Sequence, residues 1–295
     1  SMTCFAGVAS VIDLSQSATN GIILPGDFTS AIIGDLRPLA IIYTGHSNSV
    51  PLRRREYWSS APLLSPAIAD MLAERGVQHV CLDLSCDSIS SKRSDGTGGI
   101  INPNEAFRAR AHSLGLVLTE NIKCSNSLQS EVFLFALPLS GHGMTTSPSR
   151  PVALNTWPSD TPAIRDVSTP YVNHWRWRLE MWRKITESPY DDRTEFLQMG
   201  HGYTHCDAPR HMKINGPTMQ DLPGMGLDLF LGPAWIIDLS DISLPSPITL
   251  ELLMSRAGKP PPGRRLILRT DLTNRLGYNS TRWHTDAPNL EVPAA

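Results

Sequence analysis

No run in the 295-residue chain comes near the roughly 18 consecutive apolar residues that a membrane-crossing helix needs. Neither charge is in excess: 26 Lys and Arg stand against 28 Asp and Glu, a formal net charge of -2. Without a cationic surplus there is no electrostatic footing for a nucleic-acid backbone or an anionic membrane, and neither is expected as a partner. Cysteine is scarce and irregularly placed, with Cys4, Cys81, Cys86, Cys124 and Cys206 forming no CxxC pair. An odd, scattered set of five reads as reduced thiols, not as a disulfide framework or a thiolate zinc site. The opening Ser1-Met2-Thr3 shows no basic n-region and no apolar h-region, so no signal peptide is expected and a cytoplasmic location is. What the chain does have is 41% apolar residues, enough for a packed core, and 24 prolines with 21 glycines, which suit many turns.

Self-similarity is the first positive signal. Phe5-Ala6-Gly7-Val8-Ala9-Ser10-Val11-Ile12-Asp13-Leu14-Ser15 returns as Phe230-Leu231-Gly232-Pro233-Ala234-Trp235-Ile236-Ile237-Asp238-Leu239-Ser240. The same offset links Ile23 with Ile248. One residue of slippage then links Ile41-Ile42-Tyr43-Thr44 with Ile267-Leu268-Arg269-Thr270, and Ala61-Pro62 with Ala287-Pro288. Residues 5–62 and 230–288 therefore read as two copies of one unit, each a strand, a helix-like segment, a strand and an aromatic-containing loop. Asp13 and Asp238 end the first strand of each copy, which suggests a structural role.

Between the copies, strands and helices alternate. Ser65 and Pro66 open a helix that Gly76 closes, followed by a strand over 77–84, a helix over 106–114 and strands over 116–120 and 132–137. Residues 87–105 read as a mobile loop, and the polar, Pro-rich residues 140–170 as a connector. The alternation predicts an α/β fold with a parallel or mixed sheet.

The chemistry concentrates in His201-Gly202-Tyr203-Thr204-His205-Cys206-Asp207-Ala208-Pro209-Arg210-His211, which holds three of the nine histidines. Imidazole nitrogen and carboxylate oxygen are donors that zinc and manganese favour. On an extended segment His205 and Asp207 point to one face, and a turn at Gly202 brings His201 beside them. Pro209 then redirects the chain so that His211 faces the same pocket without having to ligate. Cys206, between the two donors, reads as a packed thiol facing away. Upstream, Trp175, Trp177 and Trp182 with His174 form an aromatic run suited to lining a pocket. His142, flanked by glycines, is a further candidate to approach the site.

The pattern H-x-x-x-H-x-D-A-P-x-H, with Thr204 before the second histidine, resembles the signature of the metal-dependent cyclase family, which includes kynurenine formamidases and isatin hydrolases. The resemblance implies that His201, His205 and Asp207 bind one divalent metal, Zn or Mn, and that His211 is the general acid/base. Tyr203 stands where the family usually has Gly, and is counted with Arg108, Trp175 and Trp177 as a substrate-side residue. The family's two-metal members add a His and a Glu twelve residues apart. Glu120 matches that Glu and is counted as catalytic, but the position twelve before it is Arg108, and a guanidinium cannot ligate. His112 is near but out of register, so a single metal is expected.

The resemblance covers nearly the whole chain in an altered order. Phe230 to Thr270 resembles the segment that follows the metal motif. Thr44-Gly45, Leu64-Ser65-Pro66, Glu120-Asn121 and Arg150-Pro151-Val152-Ala153 resemble landmarks of the C-terminal half. The implied fold is the cyclase-like swivelling β/α/β fold with a mixed sheet, circularly permuted or built from two truncated repeats. Residues 1–155 would be the C-terminal-half-like unit, and residues 156–295 the N-terminal-half-like unit carrying the metal motif. The implied function is hydrolysis of an amide, ester, lactam or lactone bond by metal-activated water. The alternatives are a metal-assisted cyclase or dehydratase of polyketide-type biosynthesis, and a non-catalytic scaffold. A small-molecule substrate and a homodimer are expected.

Overall fold

A computed structural model of the chain describes residues 4–52, 54–86, 104–124, 127–139, 146–156, 179–185, 192–198, 204–219, 221, 230–258 and 265–291. The chain divides into two compact units. The first comprises Ser1–Leu139 with Ser147–Val167, and the second Ser140–Thr146 with Ser168–Ala295.

The first unit is built on a six-stranded mixed sheet, which gives the expected α/β class. Its elements run β1 (Ala6–Asp13), β2 (Ile22–Ile23), α1 (Pro25–Ala31), β3 (Leu39–Tyr43), α2 (His46–Ser49), α3 (Arg55–Ser59), β4 (Leu63–Leu64), α4 (Pro66–Glu74), β5 (His79–Leu82), α5 (Glu105–Ser113), β6 (Val117–Thr119), β7 (Glu131–Phe135) and β8 (Val152–Leu154). The sheet order is β6-β5-β3-β1-β7-β8; β1, β3, β5 and β6 are parallel, β7 is antiparallel to β1, and β8 is antiparallel to β7. The connector expected over 140–170 is thus partly sheet, because Val152–Leu154 closes the edge against β7. Three residues are too few for a period-two pattern to show in sequence.

Strand β3 explains the two-sided core. It is buried at every position, Ala40 and Ile42 facing one cluster and Leu39, Ile41 and Tyr43 the other. A central parallel strand covered on both faces reads as a continuous apolar run. On the first face Phe28 of α1, Ile68 and Leu72 of α4, and Phe107 and Ala111 of α5 cover Ile12, Ile42, Val80 and Leu82. On the second, Ile122 and Cys124 pack with Ile41, Cys81, Val132 and Leu134. Helix α4 starts at Pro66 after Ser65 as expected and stops at Gly76, whose φ of 78° is the left-handed value glycine adopts without strain. There Val77 N–H reaches back to the Leu72 carbonyl at 3.1 Å.

The second unit contains an antiparallel hairpin, β9 (Leu179–Ile185) with β10 (Asp192–Gln198), which the sequence reading did not foresee. Then follow β11 (Ala234–Asp238), β12 (Pro247–Ile248), α6 (Leu250–Ala257), β13 (Arg265–Arg269), α7 (Leu272–Leu276), α8 (Thr281–Thr285) and β14 (Asn289–Leu290).

The two repeat segments share their strand pairing and helix order, the first adding a 3-10 turn over Ser17–Asn20. β11 pairs with β13 in parallel as β1 does with β3, and β12 with β14 as β2 does with β4. Asp13 Oδ1 accepts the Ser15 amide at 2.9 Å and Asp238 Oδ1 the Ser240 amide at 2.9 Å, so both aspartates turn the chain out of the strand. Leu14 N–H donates to the Tyr43 carbonyl and Leu239 N–H to that of Arg269, each at 2.8 Å. The helix caps are two halves of one device. Asp27 accepts the Leu24 amide in α1, whereas the Thr249 hydroxyl accepts the Leu252 amide in α6.

Leu72 is fully buried between α4 and the sheet. Leu72→Ala is expected to cost about 2–5 kcal/mol. A lower urea midpoint at unchanged m-value checks this; an unchanged midpoint contradicts the packing.

Candidate metal centre

The metal motif lies in the second unit. Residues 204–208 are irregular backbone, not the expected strand, and Pro209–His211 form one turn of 3-10 helix. Pro209 suits the first position of that turn because its missing N–H is not needed there. The turn is held by the His211 amide on the Ala208 carbonyl at 2.8 Å and the Lys213 amide on the Pro209 carbonyl at 2.9 Å. Gly216 folds back against it so closely that a Cβ would lie 2.9 Å from the backbone N of Arg210. Only glycine fits.

His205 and Asp207 converge although the segment is not a strand. Nε2 of His205 lies 3.7 Å from Oδ2 of Asp207, with side chains 32% and 50% exposed. That distance is long for a hydrogen bond. Two donors roughly 2.1 Å from one ion at a tetrahedral angle lie about 3.4 Å apart, so the pair fits joint ligation. The donor types, imidazole and carboxylate, fit a zinc or manganese ion equally well.

His201, Tyr203, Trp175, Trp177, His142 and His174 lie outside the described residues, as does the side chain of Trp182. Among the described residues no group of three or more His, Cys, Asp or Glu is placed to hold a metal ion. His211 is exposed at the end of its turn, beside exposed Met212 and Ile214. Cys206 corrects the sequence reading: it is exposed, not packed. Its neighbours Thr204, His205 and Asp207 are exposed as well. None of the five cysteines forms a disulfide. Burial pushes the thiols of Cys81 and Cys124 up to about 12, which keeps them protonated and inert.

Glu120 belongs to the first unit and follows β6 directly. Its Oε2 accepts the Cys86 amide at 2.7 Å and the Ser85 hydroxyl at 3.4 Å. Arg108 sits half-buried in the first turn of α5. Around Glu120 the structure gathers Asp83, Tyr57 and His46, which the sequence reading passed over. Thr44, Asp83 and Glu120 follow the carboxyl ends of three adjacent parallel strands, β3, β5 and β6, where open α/β sheets bind ligands. Asp83 Oδ1 accepts the Thr44 amide at 2.9 Å and its hydroxyl at 2.7 Å. Tyr57 donates to the Asp83 carbonyl at 3.2 Å, and His46 Nε2 lies 2.8 Å from the Tyr57 carbonyl. Burial pushes the Tyr57 phenol up, helped by Asp83 and Glu120, so it stays protonated. Oδ2 of Asp83 and Oδ1 of Asn121 are buried without a hydrogen-bond partner among the described residues. Asn121 also holds a φ of 62°, an uncommon conformation for a side-chain-bearing residue. The signal for this cluster was present in sequence: a polar residue directly after each apolar strand.

Residues 139–295 match the model of the Cyclase family, described as "Putative cyclase". This chain belongs to that family. The match spans more than half of the chain and includes both the metal motif and the second repeat segment. Among curated proteins no relative matches. Solved structures similar to the chain include a potential metal-dependent hydrolase with cyclase activity, at 17% identity and TM-score 0.40, covering 54% of this chain and 69% of that one. A predicted metal-dependent hydrolase from Bacillus stearothermophilus follows at 16% identity and TM-score 0.40, covering 53% and 67%. An isatin hydrolase bound to thioisatinate is similar at 16% identity and TM-score 0.39, covering 52% and 61%. No helix among the described residues is long and apolar enough to cross a membrane.

Burial raises the Asp83 carboxyl above its ordinary value of 3.8, and the Thr44 bonds only partly offset this. The folded state then binds this proton more tightly than the unfolded chain does. The contribution of Asp83 to stability is full below that ordinary value and declines as pH rises through the raised one. Asp83→Asn keeps the acceptor for Thr44 and removes the titration. The stability of this variant relative to wild type is therefore expected to increase as pH is raised from below 3.8. Urea unfolding at a series of pH values checks this, and a pH-independent difference contradicts it.

Proposed function

We propose that the chain is a metal-dependent hydrolase acting on an amide, ester, lactam or lactone of a small molecule. The observation that carries this reading is the convergence of His205 and Asp207 at 3.7 Å inside the segment that matches the cyclase family. Neighbours described as metal-dependent hydrolases agree with it. His201 is assigned as the third ligand of a single zinc or manganese ion. When bound, such an ion lowers the pKa of a coordinated water toward 7 and offsets negative charge developing on the substrate oxygen.

The rest falls to the chain's own side chains. His211, exposed on its short turn, takes a proton from the attacking water and returns it to the leaving group. Glu120, its carboxylate held by the Cys86 amide, is a further candidate for proton transfer. Arg108, Trp175, Trp177 and Tyr203 contact the substrate, and Met212 and Ile214 suit an apolar body beside His211. Cyclisation or dehydration with the same residues is the second reading, favoured by the family's description. We also infer that the two like-folded segments arose by tandem duplication, leaving the halves in permuted order. The boundary is placed between residues 155 and 156, and the protein acts as a cytoplasmic homodimer.

Dialysis against zinc or manganese followed by elemental analysis tests the ligands. His205→Ala and Asp207→Ala are each expected to lose stoichiometric metal together with turnover, because each removes one of few donors. His211→Ala is expected to retain the metal and lose about 10²–10⁴ in rate. Full metal and wild-type turnover in both ligand variants would overturn the assignment, and loss of metal in His211→Ala would make His211 a ligand. A wild-type chain that takes up no metal would favour a scaffold.

A further inference from the structure

From the first strand through the first helix the two repeat segments align without a gap. Trp235 of β11 is the counterpart of Ser10 of β1, and Ile237 of Ile12. At the same offset Ala257, the last residue of α6, is the counterpart of Ile32, just past α1. Ile12 and Ile237 are both buried in a core cluster with residues of the adjoining helix. Side chains two apart on a strand share a face, so Ser10 and Trp235 stand on the helix-covered face as well. In the second repeat the indole reaches from strand to helix, and its N–H donates to the Ala257 carbonyl at 3.0 Å. A carbonyl at a helix C-terminus has no partner within the helix, which makes it a natural acceptor. In the first repeat the position of that indole carries only the hydroxymethyl group of a serine.

The first repeat has a cavity of about 340 Å³ at this place. That is within the range of small-molecule sites. Its walls include Ser10 and Ile12 of β1, Ile32 and Leu36 after α1, and Glu131 of β7. Two polar groups aim into it from adjacent strands. Ser10 is only 6% exposed; its hydroxyl accepts the Arg37 amide at 2.9 Å and keeps its own proton to donate. Glu131 stands opposite Ser10 in the β1–β7 register and therefore on the same face. Its Oε1 accepts from Nε of Arg37 at 2.6 Å, and a carboxylate has further acceptor capacity on its second oxygen. The Arg37–Glu131 pair carries no net charge. An anion would meet the carboxylate and a cation the guanidinium, so the cavity suits an uncharged ligand.

We propose that this cavity binds a small, uncharged, planar aromatic molecule bearing an N–H or O–H group, which takes the place that the Trp235 side chain fills in the second repeat. The ring lies against Ile12, Ile32 and Leu36, and its N–H or O–H donates to the Glu131 carboxylate. The site is built from the first unit alone. It uses none of the metal-motif residues and does not depend on the hydrolase reading.

Titration calorimetry of the full chain with indole as the probe tests it. Wild type is expected to bind one indole per chain. Ser10→Trp places in the first repeat the side chain that the second repeat already carries, and is expected to weaken indole binding by about 100-fold or more by occupying the cavity. Glu131→Gln keeps the size of the side chain but gives up the charged acceptor, and is expected to weaken binding by about 3–10-fold. A wild-type chain that binds no indole at millimolar concentration overturns the site. A folded Ser10→Trp chain that binds indole as tightly as wild type puts the probe elsewhere and overturns it too. Should circular dichroism show Ser10→Trp unfolded, Glu131→Gln decides: weaker binding supports the site, and unchanged binding overturns it.

Discussion

Parallel pairing of two short strands leaves both outer edges and one face of the pair unsatisfied, and the two halves of this chain meet that constraint differently. In the first unit α1, α4 and α5 cover one face, β5 and β7 close the edges, and Ile122 and Cys124 pack on the other side. In the second unit the helix-covered face is built, with Ile237, Leu239, Leu253 and Ala257 packed together, while Ile236 and Ile267 stay exposed. The same sequence pattern thus yields a closed core in one place and, among the described residues, an exposed pair of strands in the other.

Closure also positions polar chemistry. Because β3, β5 and β6 run in parallel, the residues that follow them, Thr44, Asp83 and Glu120, emerge at one end of the sheet. Amides there satisfy carboxylates: Thr44 binds Asp83, and Cys86 binds Glu120. In the second unit, by contrast, the donors His205 and Asp207 depend on an irregular segment ahead of a tight turn, with Gly216 allowing the close approach behind it.

Much of this was legible in the sequence where a local physical rule was sufficient. Pro66 and Gly76 bracket α4 because proline suits the first helical position and glycine the left-handed φ beyond the last, both preferences acting over a few residues; the Ser65 side chain itself makes no cap hydrogen bond. The Asp13 and Asp238 turns follow from an aspartate bonding two residues ahead. The cyclase-family resemblance was legible in the order of histidines and aspartate around Pro209. What was not legible depends on partners distant in sequence. β8 exists because β7 offers an edge. Cys206 was misread because a thiol facing away from the donors was assumed to be packed, whereas the whole stretch 204–207 is exposed. The different exposure of Ile41 and Ile267 is invisible to any pattern, since the residues are identical and only their neighbours differ.

The central claim is that His205 and Asp207, with His201, hold one metal ion through nitrogen and oxygen donors. X-ray absorption at the zinc edge of the zinc-loaded chain addresses it most directly, because exposed Cys206 lies between two of the proposed ligands and offers a competing sulfur. The account predicts nitrogen and oxygen scatterers at about 2.0–2.2 Å with the outer-shell pattern of two imidazoles. A sulfur scatterer at about 2.3 Å, or no bound zinc, would contradict it.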